Sequence, residues 1–172
     1  MVATSETNVG QPRGRVWRNR IIRYGPLLLW LGLIFFASTG EFSAENTSLI
    51  IGPLLHWLFP NISDERVQLV HFIVRKLAHF SEYAVLALLA ARAFINSSHD
   101  AINRNWFLIS LLLIAVYALS DEFHQSFVAT RTASIYDSMI DSSGGLVALL
   151  LLAWRRRRMR GARKVENERA AL

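Results

Sequence analysis

The chain has 172 residues, is 52% apolar, contains no cysteine and carries a formal net charge of +6. The missing cysteines exclude disulfides, thiol catalysis and Cys-ligated zinc, and say nothing about compartment. The apolar residues fall in blocks bounded by Trp and Arg, a bilayer pattern rather than that of a soluble core. Basic residues cluster in "RGRVWRNRIIR" (13–23) and "RRRRMRGARK" (155–164), each against a hydrophobic block. That placement assigns the charge to membrane orientation and anionic headgroups, and not to nucleic acid.

The first predicted element is a membrane helix from Ile21 to Ser38, with Pro26 in its first turns, where a lost donor is tolerated. A basic flank and a short apolar core also fit a signal peptide, but the small-residue pattern around Ala37 is poor. The expectation is an uncleaved helix. The stretch 39–75 is the longest connection, and its apolar part "LIIGPLLHWLF" (49–59) has only eleven residues. Too short to span, it reads as an interfacial or re-entrant helix, with His56 and Trp57 as interfacial anchors. Ser63 followed by Asp64 and Glu65 is a helix start. The helix it opens is expected over 64–95, with its membrane part over 77–95. The third helix is expected over 106–127 and the fourth over 134–154. The second and fourth each carry a polar half.

The predicted fold class is therefore all-α: a polytopic four-transmembrane-helix bundle plus a short interfacial or re-entrant helix. Basic tails (1–20 and 155–172) flank a membrane domain over 21–154. Fifteen of the nineteen Lys and Arg lie on the termini and the 92–105 connection, and four lie on the other two connections. The positive-inside rule then places both termini in the cytoplasm of a multi-pass cell-membrane protein.

Depth orders the polar residues. With Trp106 and Trp154 at the cytoplasmic interface, Asp121 lies about 22 Å up its helix and Asp141 about 20 Å up the next. Glu82, counted from Ile95, reaches about 20 Å as well. Three helices bring carboxylates to one level of a core about 30 Å thick. Charges there must face one another or a cavity, which predicts a polar pocket open to the extracytoplasmic side. Lys76, His79 and Glu82 share a face at spacings of three, as do Asp121, His124 and Gln125 at three and four. Asp137 and Asp141 are four apart, Gly144 and Gly145 allow a close helix approach, and Arg131 lies in the connection over the pocket mouth.

The blocks "KLAHFSEYAVLALL" and "YALSDEFHQSFVATRTASIYDSMIDSSGG", with "LLWLGLIFFAST" in the first helix, resemble the VanZ-like family of integral membrane proteins. That family is named for a protein linked to teicoplanin resistance. The resemblance spans most of Leu27 to Gly145. It implies that the family's polar positions correspond to Lys76, His79, Glu82, Tyr83, Asp121, Glu122, His124, Gln125, Arg131, Asp137 and Gly144. Asp141 departs, since family members often carry Asn there. The resemblance implies a role in bacterial cell-envelope physiology, including glycopeptide susceptibility.

Three functional readings follow. In the first, the pocket binds a lipid headgroup, a lipid-linked cell-wall precursor or a lipoglycopeptide, with Lys76 and Arg131 at its mouth for an anionic group. In the second, the protein is a membrane-embedded enzyme. Glu82, Asp121, Glu122 and His124 are then candidate catalytic groups, and His79, Glu82, Asp121 and His124 candidate ligands of a divalent metal. No dedicated metal motif supports it. The third, a proton- or ion-coupled transporter, has four helices and no clear internal repeat. The bland alternative is a hydrogen-bonded network that holds the helices together, in which Ser81, Ser120, Ser134, Tyr83 and Tyr117 would take part. Membrane lipids are the expected partners, and no specific protein partner is predicted.

Overall fold

A computed structural model describes residues 13–38, 44–127 and 135–170. Six helices follow in order: α1 (Arg13–Ala37), α2 (Ala44–Leu58), α3 (Asp64–Ile95), α4 (Asp100–Arg104), α5 (Trp106–Gln125) and α6 (Ile135–Ala170). The described residues contain no strand, and α1, α3, α5 and α6 are long and apolar enough to cross a membrane. The all-α, four-span architecture expected from the sequence is the one found. At 15 residues α2 rises only about 22 Å, short of a bilayer core, and it packs on α3.

Two helices outrun the apolar blocks that define them. α1 begins at Arg13, so Pro26 lies in the helix interior and not in the first turns. The residues before Ile21 contain no breaker strong enough to delay the helix, and Pro26 leaves the Ile22 carbonyl without its i+4 donor. α6 runs sixteen residues past Trp154 to Ala170. Its Arg-, Ala- and Glu-rich end consists mostly of strong helix formers, and only Gly161 opposes them. A basic helix rather than a loose tail therefore projects from the bundle.

Side-chain pairings give the helix directions. Lys76, His79 and Phe80 on α3 meet Asp137, Asp141 and Gly144 on α6 in the same order, so the two run parallel. Leu31 and Ser38 on α1 meet Tyr117 and Asp121 on α5, also parallel. Ala118 and Ile114 on α5 meet Ser138 and Gly145 in reverse order, so α5 is antiparallel to α6. The chain thus alternates direction at each span, as in an up-down bundle.

The core is made close by small residues. α3 packs most extensively on α6, presenting fully buried Ala87, Ala90, Ala91 and Ala93 beside Tyr83 and Leu86. Leu28, Leu29, Phe36, Leu108, Leu112, Leu119 and Leu151 are exposed on the outside, as a lipid-facing surface requires. With no hydrophobic drive between helices in lipid, close backbone packing supplies the association energy. The tightest point is Gly144, where a Cβ would lie 2.2 Å from the Phe80 carbonyl oxygen on α3. At Gly145 a Cβ would lie 2.8 Å from Ile114 Cγ2 on α5. Adjacent glycines therefore seat α6 against both neighbours.

Gly144→Ala is expected to destabilise the detergent-solubilised protein by about 1–3 kcal/mol, because α3 and α6 backbones must separate. Gly145→Ala should cost less, since the obstructing Ile114 side chain can shift, and Gly32→Ala, with open space at its Cβ, should be neutral or stabilising. Thermal unfolding followed by circular dichroism checks the order.

Candidate functional site

The polar residues gather at the end of the bundle where α1 and α5 stop and α6 starts. From α5, Asp121 is 5% exposed and fully engaged: Ser38 Oγ at the end of α1 donates to its Oδ1, and Gln125 Nε2 donates to Oδ2 at 2.9 Å. The i,i+4 spacing of Asp121 and Gln125 on one helix face makes that second bond. Glu122 and Gln125 are buried beside it. His124 is half-buried, with its ring 4.6 Å from that of Phe35 on α1 and its Nε2 without a hydrogen bond.

From α3 and α6, two ion pairs stack one turn apart. Lys76 Nζ is paired with Asp137 Oδ1, both side chains about one-fifth exposed. His79 Nδ1 lies 3.6 Å from Asp141 Oδ1. Asp141 is 1% exposed, and neither of its carboxylate oxygens receives a hydrogen bond. Between the two acidic sides stands Tyr83, fully buried, its hydroxyl without a hydrogen-bond partner and its ring 6.4 Å from that of Tyr117. Tyr83 interacts electrostatically with both Asp121 and Asp141, which joins the α1–α5 side to the α3–α6 side.

Of the residues singled out in the sequence, the structure brings Lys76, His79, Tyr83, Asp121, Gln125, Asp137 and Asp141 into this region, with Glu82, Glu122 and His124 at its margins. Arg131 and Ser134 lie outside the described residues. Lys76 is not a free anion-binding cation, because Asp137 claims it. His79 faces Asp141 across the helix interface. Among the described residues no three His, Asp or Glu side chains converge as a metal site. Ser81 and Ser120 do not tie helices together: each hydroxyl donates to the carbonyl four residues back, Leu77 at 2.7 Å and Val116 at 2.8 Å.

Further interhelical ties join the spans, among them one from Tyr117, a residue expected from the sequence to serve such a network. Trp30 Nε1 donates to the Glu82 carbonyl at 3.0 Å, and Tyr117 Oη donates to the Leu31 carbonyl at 2.6 Å. Ser138 Oγ donates to the Ala118 carbonyl at 3.3 Å. Ser38 could have been found by the depth count applied to the acids, since it ends the first helix on the same side. The acceptors of the Trp30 and Tyr117 bonds carry no sequence signal, because they are backbone carbonyls.

Residues 24–156 match the VanZ/LLP1 family. The chain belongs to that family. The match covers the four spans and the whole polar cluster, in agreement with the resemblance carried by the Lys76–Tyr83 and Tyr117–Gly145 blocks. No curated protein and no solved structure matches the chain. Within the family fold, Asp141 places a carboxylate against His79, a contact that an amide could make only as a neutral hydrogen bond.

Lys76→Met and Asp137→Leu are each expected to destabilise the protein by about 1–3 kcal/mol, because each strands a half-buried charge. The double variant should cost less than the sum, which a double-mutant cycle on thermal unfolding reads directly.

Proposed function

We propose that this VanZ/LLP1-family protein acts in the bacterial cell envelope. Its polar cluster, facing the extracytoplasmic side, receives the headgroup of a lipid-linked or anionic envelope ligand, and this contributes to low-level glycopeptide (teicoplanin) resistance. Its basic flanks (1–20 and 155–172) keep both termini cytoplasmic around a membrane domain over 21–154. One observation carries the reading. The Tyr83 hydroxyl is buried without a hydrogen bond and Asp141 has only the His79 ring, 3.6 Å away, beside its carboxylate, while nearby Asp121, Lys76 and Asp137 are hydrogen-bonded. Buried polar atoms of this kind cost about 1–3 kcal/mol each unless a partner satisfies them. A headgroup rich in hydroxyl or amide donors supplies that partner to Asp141, with half-buried His79, Lys76 and Asp137 forming the approach. Because Asp137 holds Lys76, donor groups of the headgroup are favoured over its phosphate as the first contact. The other residues of the proposed ligand set are Glu82, Asp121, Glu122, His124, Gln125 and Arg131.

A second reading, acid–base or metal-dependent chemistry on the same headgroup, draws on the His79–Asp141 pair. A carboxylate lies 3.6 Å from Nδ1, outside hydrogen-bond length, and would have to close on the imidazole to orient it as a general base requires. It lacks an identified nucleophile.

Tyr83→Phe removes a hydroxyl that makes no hydrogen bond, so unfolding temperature should stay near wild type. In a susceptible Gram-positive host expressing the chain, the same change should abolish the rise in teicoplanin inhibitory concentration. A folded Tyr83→Phe and His79→Gln pair with full resistance would sink the binding reading. Stoichiometric metal in purified protein, lost in His79→Gln, would favour the catalytic one. A reporter fused after Trp154 is expected to read cytoplasmic, and an extracytoplasmic signal overturns the orientation.

A further inference from the structure

At the opposite end of the bundle, where α5 begins and α6 leaves the apolar block, lies a second feature that the polar cluster does not use. A cleft of about 700 Å³ is lined by Phe107, Leu150 and Ala153, by Trp106 and Trp154, and by Arg156, Arg157 and Arg160. The chemistry is graded along α6. Leu150 and Ala153 come first, the two indoles next, and the guanidinium groups lie up to a turn and a half beyond Trp154. A bilayer presents the same order: hydrocarbon, interface, then headgroup phosphate, with Trp favoured at the middle level.

The cleft exists because α6 does not end at Trp154. Its helical continuation carries Arg156 back over the α5 start, with Cζ 5.7 Å from the Trp106 ring centroid. That cation–π contact sets the guanidinium beside the first turn of a 20-residue helix whose N-cap, Asn105, makes no side-chain capping bond. The positive end of the α5 dipole and three arginines therefore converge on one opening. The three arginines meet no carboxylate among the described residues, and Arg forks suit a phosphate bidentately.

We infer that this cleft is a binding site for an anionic phospholipid of the leaflet on the side of the chain termini. Its phosphate sits among Arg156, Arg157 and Arg160, and its glycerol and upper acyl chains lie along Trp106, Phe107 and Leu150. A free phosphate would use the arginines alone and leave the aromatic and apolar walls without a role. A zwitterionic lipid would set its own cation against three guanidinium groups. The site is separate from the polar cluster of the proposed function, and the two can fail independently.

The test uses the full chain purified in detergent, with native mass spectrometry during titration with phosphatidylglycerol or with phosphatidylcholine of the same acyl chains. Wild type should retain one phosphatidylglycerol in preference to phosphatidylcholine. R156Q/R160Q should weaken that retention by roughly tenfold. R18Q/R20Q removes the same charge from exposed arginines on the same side of the bundle and should leave it unchanged. Equal losses in both pairs, equal retention of the two lipids, or inorganic phosphate bound as tightly as phosphatidylglycerol would each overturn the assignment. Helicity by circular dichroism, expected to be unchanged in both pairs, confirms that the variants are folded.

Discussion

The bundle depends on the approach of α6 to α3 at Gly144, where a methyl group would enter the Phe80 carbonyl. Lipid offers no hydrophobic reward for bringing two apolar helices together, so their association rests on how closely backbones can pack. Gly144 removes the side chain on α6, and the buried alanines from Ala87 to Ala93 keep the inner part of α3 small. With the backbones at that distance, residues one and two turns earlier on the same two helices come within reach of each other. The His79–Asp141 and Lys76–Asp137 pairs are consequences of that register. Gly145 does the same for α5, so a dipeptide on one helix positions three.

The acids then divide into two kinds. Asp121 and Asp137 are satisfied within the protein, by Ser38 and Gln125 and by Lys76. They tie α1 to α5 and α3 to α6 where the helices diverge toward their connections, and they explain why a membrane-embedded chain tolerates such charges. Asp141 and Tyr83 are of the other kind, buried deeper and left without hydrogen bonds. The asymmetry between satisfied outer pairs and unsatisfied inner groups is what directs attention to Tyr83 and Asp141 rather than to the whole set of acids.

The two ends of the bundle present opposite chemistries on a common scaffold. One end pairs its charges internally and keeps a few polar groups in reserve. The other sets Arg156, Arg157 and Arg160 around Trp106 and Trp154, with no carboxylate paired to them among the described residues.

Much of this was legible from the residues in order. Apolar block length and flanking charge determined the four spans, the short α2 and the alternation of direction, because bilayer thickness and backbone satisfaction leave few other solutions. Counting depth from Trp106, Trp154 and Ile95 brought Asp121, Asp141 and Glu82 to one level, and helical spacing placed Asp121 with Gln125. Partner choice was beyond that reading. Spacing along one helix cannot say that His79 meets Asp141, that Asp137 occupies Lys76, or that Ser38 reaches Asp121. Nor can hydropathy tell a membrane helix where to end, so α6 beyond Trp154, and the cleft it makes with α5, went unseen. Composition and period decide which segments enter the bilayer. Only the packing of helices against one another decides which polar groups pair across the bundle and which do not.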